Sequence, residues 1–521
     1  MVNKFVINSN QFIMNTKITL LLLLFSSMLF SQNSLWVRQG KSANNERGND
    51  IAQDNTGNVY VTGSYLNTVT FETTTITNPS NNYCVKYNSN GDLIWAINGV
   101  GESGVTYDGN SNLYLFSNFN SSLQKIDLNG NVVWNNTLFT SSTFGSVGIQ
   151  DVYAVGNDVY VTGFYSGNAN FGSTILLNTN ETDFSWDIFI AKYNSSGVLQ
   201  WAKTAGGTGL DKGYAIYASS SGDIFTTGYF RNTASFGSNS VISNGNADIY
   251  IAKYDSSGNN IWVNKTGGTG FDLAAKIISD NSGNLLLTGR FNDTVTFGST
   301  NLTAVGTDAF ISKVDENGNY IWTKQISGQG NDEEADIFHD GTNIHFISTT
   351  SGNVTIDTNV LTQKGGLDIF LGTMNNNGSL VWGKIYASVA NDEGSGISYY
   401  NGATYFTGSF NATATFDALS LTSLGNWDVV TGKIENNLSS ENFTSKTYKI
   451  YPNPVVDILT IDYKENADDE ITLIDFTGKI VKRQALSNQQ NTINVSDLEE
   501  GIYFIQFKNN KINPLKFIKS N

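Results

Sequence analysis

The sequence predicts an all-β protein: a seven-bladed β-propeller, its ring closed by the N-terminal strand, followed by a small C-terminal β-sandwich. Three observations carry this. Seven tryptophans recur in one local context. The composition favours short strands and tight turns, with 51 Gly, 4 Pro, 24 Tyr and 31 Phe among 521 residues and only 15% charged. The last 75 or so residues depart from the repeat and from its charge balance. Plentiful aromatics argue against disorder, and glycine without a triplet period argues against collagen. A coiled coil is excluded by the scarcity of Lys, Glu and Leu.

At the N-terminus Lys17 precedes an apolar run from Ile18 to Phe30, and Ser31, Gln32 and Asn33 follow. A basic start, a short apolar stretch and a small polar exit describe a secretory signal peptide over residues 1–32, with Met14 as an alternative start. The run is shorter than the roughly 20 residues a membrane span needs. No Cys follows it, which excludes a lipoprotein anchor. No later segment is apolar enough to cross a membrane, so the mature protein is expected to carry no span.

Residues 33–434 hold the repeats. Trp36, Trp95, Trp134, Trp201, Trp262, Trp322 and Trp382 are separated by 59, 39, 67, 61, 60 and 60 residues. Only Trp186 and Trp427 fall outside the series. Ten residues after four of these tryptophans stand Asp211, Asp272, Asp332 and Asp392. A T-G glycine recurs at Gly63, Gly163, Gly228, Gly289 and Gly408, and eight residues beyond each lies a Phe: Phe71, Phe171, Phe236, Phe297 and Phe416. One repeat reads as strands at 213–218, 223–230, 248–254 and 260–265, with hairpin turns between them. Asn317-Gly318 and Asn377-Gly378 supply the same turn elsewhere. Four antiparallel strands in about 60 residues make a propeller blade. A lone four-stranded sheet exposes both faces, and stacking blades buries them, with each Trp expected to pack between neighbouring sheets.

The ends predict closure. Residues 428–434 read as the last third-position strand, and no tryptophan strand follows. The first tryptophan strand, around Leu35 to Arg38, precedes every third-position strand. The N-terminal strand is therefore expected to complete the last blade, which removes sheet edges that invite aggregation. The stretch between Trp95 and Trp134 is short and lacks the Phe segment, yet has room for four strands around Val105, Leu113, Leu123 and Val132.

The motifs W-x-K-x-x-G-G-T-G-x-D at 201–211, V-Y-V-T-G at 59–63 and D-I-Y-I-A-K-Y-D-x-x-G at 248–258 make residues 35–435 similar to the SBBP β-propeller repeat family. The resemblance implies the fold and little about activity.

Residues 435–447 are polar and read as a linker. Residues 448–521 hold three of the four prolines, and residues 446–521 carry ten acidic and ten basic residues. Strands are predicted at 456–463, 470–475, 480–484, 502–507 and 515–519, a small β-sandwich by pattern. Tyr451-Pro452-Asn453-Pro454, the D-x-x-G-K run ending in Gly478 and Lys479, and L-E-E-G-I-Y with Gly501 and Tyr503 resemble the C-terminal sorting domain of the type IX (Por) secretion system. The resemblance implies a Gram-negative envelope, handling by that secretion machinery through residues 448–521, and a place on the outer-membrane surface or outside the cell.

Net charge is −16, and residues 33–445 hold 18 basic and 36 acidic residues. An acidic body repels phosphate backbones, which argues against nucleic acid. One cysteine, Cys84, rules out an intrachain disulfide, and its place in an apolar strand suits packing. Two histidines, His339 and His345, leave little for imidazole chemistry. They share one predicted hairpin with Asp332, Glu333, Glu334, Asp336 and Asp340, expected to be solvated. No G-x-S-x-G elbow accompanies them. The four aspartates Asp211, Asp272, Asp332 and Asp392 are expected to circle one face, where carboxylates suit Ca²⁺. The simpler reading is that each accepts amides of its own Gly-rich turn. Asp54-Asn55-Thr56-Gly57 and Asp280-Asn281-Ser282-Gly283 read as turns, lacking the further ligands of a calcium loop. Gly206-Gly207-Thr208-Gly209 and Gly267-Gly268-Thr269-Gly270 lack the G-K-[ST] of a phosphate cradle. No catalytic residue and no cofactor is expected, calcium being the one candidate. The expected function is a monomeric, non-enzymatic binding module for a protein or glycan. The alternatives are an extracellular polysaccharide hydrolase or lyase, and a structural cell-surface component.

Overall fold

A computed structural model describes residues 33–77, 80–140, 145–172, 174–178, 185–328, 330–333, 335–435, 449–462, 469–475, 479–486, 490–507 and 515–520. The chain divides into two compact units, Met1–Asn436 and Asn437–Asn521. The signal peptide expected over 1–32 and residues 436–447 of the expected linker lie outside the described residues, as does Gly478. Among the described residues there is no α-helix, and no helix long and apolar enough to cross a membrane.

The first unit repeats one antiparallel meander. In the middle of the chain it comprises Lys212–Ala218, Ile224–Phe230, Asp248–Tyr254 and Asn260–Thr266, hydrogen-bonded in that order. The second and third strands are buried on both faces, which is why they read as continuous apolar runs. The short stretch before Trp134 makes the same meander with Gly104–Tyr107, Asn112–Ser117, Ser122–Asp127 and Val132–Thr137. At the other end Asp392–Tyr400, Ala403–Phe410 and Asp428–Glu435 take Asn33–Lys41 as their fourth strand, with Trp36 opposite Lys433 and Arg38 opposite Thr431.

The first strands line up side by side in chain order, from Glu46–Gln53 through Gly104–Tyr107, Val147–Val155, Lys212–Ala218, Leu273–Ser279 and Asp336–His339 to Asp392–Tyr400. The last of these packs back against Glu46–Gln53. The result is an all-β, propeller-like unit with its core divided among apolar clusters between adjacent sheets.

Five junctions are fastened at the outer rim by a tryptophan hydrogen bond. The Trp36 indole N–H donates to the Ser89 carbonyl at 3.3 Å, and those of Trp95, Trp134, Trp201 and Trp322 donate to the carbonyls of Leu128, Ser195, Ser256 and Asn376. Every acceptor lies in the third-to-fourth-strand turn of the next sheet. Gly91 in the first of these turns has φ +84°, and a Cβ there would stand 2.7 Å from the Trp36 ring. Glycine is thus required both by the turn and by the indole lying on it. The tryptophans are not enclosed as the spacing suggested. Only Trp36 and Trp382 are buried, and the other five are half-buried because they cap a turn rather than fill a sheet-to-sheet interior. Among the described residues Trp382 has no indole hydrogen bond, since the next sheet takes Asn33–Lys41 as its fourth strand and so lacks that turn.

A second fastening is absent from the sequence reading. Between the second and third strands the chain makes a hairpin that leaves its own sheet and adds to the outer strand of the preceding one. Thr233–Phe236 pairs with Gly206 and Gly207, and Thr68–Phe71 pairs with Gly40 and Lys41. This is the role of the recurring phenylalanines: Phe71, Phe171, Phe236, Phe297 and Phe416 are all buried beneath these hairpins.

The second unit forms two antiparallel sheets, one of Lys449–Tyr451, Ile458–Asp462 and Gln490–Asn494, the other of Ile480–Leu486, Asp469–Asp475, Gly501–Phe507 and Leu515–Lys519. Leu459, Ile461, Leu473, Ile493, Ile505 and Phe517 share one apolar core.

Trp36 joins the N-terminal strand to the next sheet and touches both Tyr87 and Tyr405. Trp36→Ala is expected to cost about 3–5 kcal/mol, the range for emptying a large buried aromatic site. Urea unfolding of the full chain measures this, and a loss below about 1 kcal/mol would contradict the role.

Candidate functional site: the axial channel

The first strands enclose two adjoining cavities of about 270 and 370 Å³, which share Asp50, Asp151, Lys276 and Asp336. These four side chains occupy one structural level. In the pairing register Asp50 stands opposite Thr62, Asp151 opposite Thr162, Lys276 opposite Thr288 and Asp336 opposite Ile347. Gly104, Ala215 and Gly396 hold the same level in the remaining sheets. In most of these strands a β-bulge comes just before that position, at Asn49, Gln150, Tyr214, Ala275 and Ser395. The extra residue re-aims the next side chain toward the axis.

Each carboxylate is anchored across a sheet junction. The amides of Val105, Ile216 and Ile397 donate to Asp50, Asp151 and Asp336, each at 2.9 Å and each from the next sheet. Lys276 Nζ lies 3.7 Å from Asp336 Oδ1. Burial pushes the Asp50 carboxyl up to about 7, with Lys276 pulling it down and Asp336 pushing it further up. Burial likewise raises Asp151. For Lys276 burial opposes the charge, but Asp336, Asp151 and Asp50 outweigh it and hold the ammonium protonated above its ordinary range. Three carboxylates therefore face one fixed cation.

Two residues further along stand Tyr153, Tyr217 and Phe338, with Thr106 and Ile278 at the corresponding positions of their own strands. Tyr153 and Tyr217 meet edge to face at 5.1 Å. In the adjacent strands Glu46–Gln53 and Asp392–Tyr400 the corresponding residues are small, Ala52 and Ser398. Ser398 is 4% exposed and its hydroxyl has no hydrogen-bond partner among the described residues.

The four aspartates singled out from the sequence are elsewhere. Asp211, Asp272, Asp332 and Asp392 are fully buried at successive junctions and do not converge. Asp211 accepts the amides of Gly207 at 2.7 Å and Arg231 at 2.8 Å, and Asp272 those of Gly268 and Asn292. Ser351 donates to Asp332, and Ser388 and Asn411 donate to Asp392. Each feels a second buried carboxylate from the preceding sheet, Asp187, Asp248, Asp308 or Asp368, and Glu46 meets Asp428 in the same way. Burial, reinforced by these neighbours, raises Asp211, Asp332 and Glu46 to about 7 and Asp272 and Asp392 to about 6.

The histidine hairpin is a correction. His339 and His345 are buried, at 7% and 2% exposure, rather than solvated. His345 Nε2 is 2.9 Å from Asp340 Oδ2, and its Nδ1 is 2.9 Å from Thr373 Oγ1. Other sheets carry an aromatic residue and a lysine at these two positions, as in Tyr160 with Lys192 and Phe225 with Lys253, and the lysine pairs with a turn aspartate, Asp158 or Asp223. Here Thr373 replaces the lysine, and the imidazole takes over the contact with the aspartate. Enclosure of Thr373, at 1% exposure, makes this a packing device and not a nucleophilic triad. Glu334 lies outside the described residues. Cys84 is fully buried, and burial pushes its thiol up, as suits a packing role.

In the C-terminal unit Asn453 accepts the Ile518 amide at 2.9 Å and donates to the Lys516 carbonyl, tying the Tyr451–Pro454 turn to the last strand. Tyr503 donates to the Glu499 carbonyl and stacks on Phe517, the Lys479 amide donates to Asp475, and Gly501 opens the Gly501–Phe507 strand. Residues 449–519 match the family described as the secretion system C-terminal sorting domain. The C-terminal unit is a type IX sorting domain. It implies handling by the type IX machinery and a cell-surface or extracellular destination for the protein. The chain is also 25% identical over 252 residues to an uncharacterized WD repeat-containing protein of Acanthamoeba polyphaga mimivirus, covering 45% of this chain and 17% of that one. It is 24% identical over 174 residues to the regulatory protein FlaEY of Caulobacter vibrioides, covering 32% and 18%. The matches thus span less than a fifth of either relative. Among solved structures, BamB from Moraxella catarrhalis aligns with 77% of this chain and all of its own, at 11% identity and a TM-score of 0.35.

The junction carboxyls have folded-state pKa values above those of the unfolded chain. Between about pH 4 and pH 7 the folded state therefore binds more protons, and stability falls as pH rises through that window. The midpoint of thermal unfolding is expected to be higher near pH 5 than near pH 8 at fixed ionic strength. A midpoint that climbs toward pH 8 would contradict this.

Proposed function

We propose that this chain is an exported, monomeric, non-enzymatic binding module of the cell surface or surroundings, with its ligand site in the axial channel. In this reading residues 1–32 direct passage across the inner membrane, and residues 33–434 form a seven-bladed ring of SBBP-type repeats closed by the N-terminal strand. Residues 435–447 link it to a sandwich-folded sorting domain at 448–521. The pairing of Asn33–Lys41 with Asp428–Glu435 supports ring closure. The signal-like N-terminus and the sorting-domain match both support export.

The observation that carries the binding site is the channel itself. It departs from the repeat, since equivalent positions hold Asp, Lys, Ala and Gly, where a purely structural ring has no need of such variety. The partner class is a glycan or protein segment able to enter a cavity of this size. A second reading, a polysaccharide hydrolase or lyase, is favoured by one feature: Asp50, with its raised pKa, shares the cavity with Asp336, as an acid and its partner carboxylate would.

Two experiments test these readings. Deleting residues 446–521 is expected to hold the protein in the periplasm, and undiminished secretion would overturn the export route. Incubating the full chain with a panel of polysaccharides and surface-protein extracts is expected to give retention without new products. Cleavage products that disappear in Asp50→Asn would favour the enzyme instead.

A further inference from the structure

The channel is unevenly charged. Three carboxyls and one ammonium share a level walled off by the first strands, and burial holds Asp50 and Asp151 back from ionising until a further cation arrives to face them. Each carboxyl spends one oxygen on the amide of the next sheet, which fixes its position. An anionic ligand would oppose the ionisation of these groups, while an incoming cation offsets a desolvated negative charge, where electrostatics is strongest. The aromatic side chains lining the adjoining cavity suit an organic cation.

The next level adds shape. Tyr107, Tyr153 and Phe338 line the adjoining cavity as an aromatic collar, interrupted where Ala52 and Ser398 stand side by side in neighbouring strands. Aromatic walls with a few fixed polar groups suit small-molecule recognition, and the lower cavity, at 370 Å³, falls within the usual range of about 300–1,000 Å³. Ser398 lines this cavity, and its almost wholly buried hydroxyl has no hydrogen-bond partner among the described residues. A buried hydroxyl without a partner is costly unless something arrives to pair with it.

We propose that the axial channel recognises an amino sugar: its protonated primary amine at Asp50, Asp151 and Asp336, its ring against the aromatic collar, and a hydroxyl on Ser398. This rests on the reading of the channel as the ligand site, and it names the ligand class for that site. Lys276 is the internal counterpart, an ammonium already held by the same carboxylates.

The test is calorimetric titration of the full chain with a glucosamine tetramer, its fully N-acetylated counterpart, and spermidine. The glucosamine tetramer is expected to bind at least about tenfold more tightly than the acetylated one, which has lost its charge. It should also bind more tightly than spermidine, which has the amines without the ring. Asp336→Asn keeps an oxygen for the Ile397 amide but removes the charge, and is expected to weaken the tetramer about tenfold or more. The wild-type comparison stands even if that variant fails to fold. Equal binding of the two tetramers would overturn amine recognition while leaving the channel a glycan site. Spermidine binding as tightly as the glucosamine tetramer would overturn the sugar. Binding of none of the three overturns the inference, and only if the polysaccharide and protein panel also fails does the channel reading fall with it.

Discussion

A four-stranded antiparallel sheet of this size cannot stand alone, because both faces are apolar and both must be covered. The rest of the first unit depends on how one sheet is fixed to the next. Three devices act at each regular junction, at three distances from the axis. A tryptophan lies on the turn of the following sheet at the rim. A hairpin crosses to the preceding sheet and buries a phenylalanine in between. Nearer the centre a pair of buried carboxyls is held by backbone amides. Side-by-side sheets fastened this way bring their first strands together around an axis, and Asn33–Lys41 and Asp428–Glu435, the first and last described strands of the unit, share one sheet.

That arrangement explains why a site arises where it does. The junction positions repeat because each must solve the same packing problem. The innermost level faces a channel instead of a neighbouring sheet, so packing constrains it least. There the repeat gives way to three aspartates and a lysine. The bulges just before this level turn the side chains inward, and the amide of the next sheet fixes each carboxylate. A charged cluster is thereby held rigid by the fastenings that build the fold, a form of preorganisation that loops could not supply as well.

Much of the architecture was legible because the repeat prints its packing on the sequence. Trp36 to Trp382 marked the fourth strands, and the glycine turns and continuous apolar runs marked the rest. The crossing hairpins were not legible: the spacing of Phe71 or Phe236 shows that a residue recurs, not that it is buried against the preceding sheet. The charged level was missed for a related reason. Asp50, Lys276 and Asp336 each lie fourteen residues after a repeat tryptophan, where Ala215 and Gly396 also fall. A search for agreement between repeats passes over the position where they disagree. The aspartates that do agree, Asp211 and its equivalents, proved to hold backbone amides. His345 attracted notice as a rare residue, yet it substitutes for a lysine contact that the other sheets make.

The most direct measurement is amide hydrogen exchange along Asp428–Glu435 in the folded full chain. This strand has its earlier neighbour on one side and the N-terminal strand on the other. The account predicts that its amides are protected as strongly as those of Asp248–Tyr254, which also lies between two strands. Rapid exchange at the amides facing Asn33–Lys41, as at an open sheet edge, would contradict it.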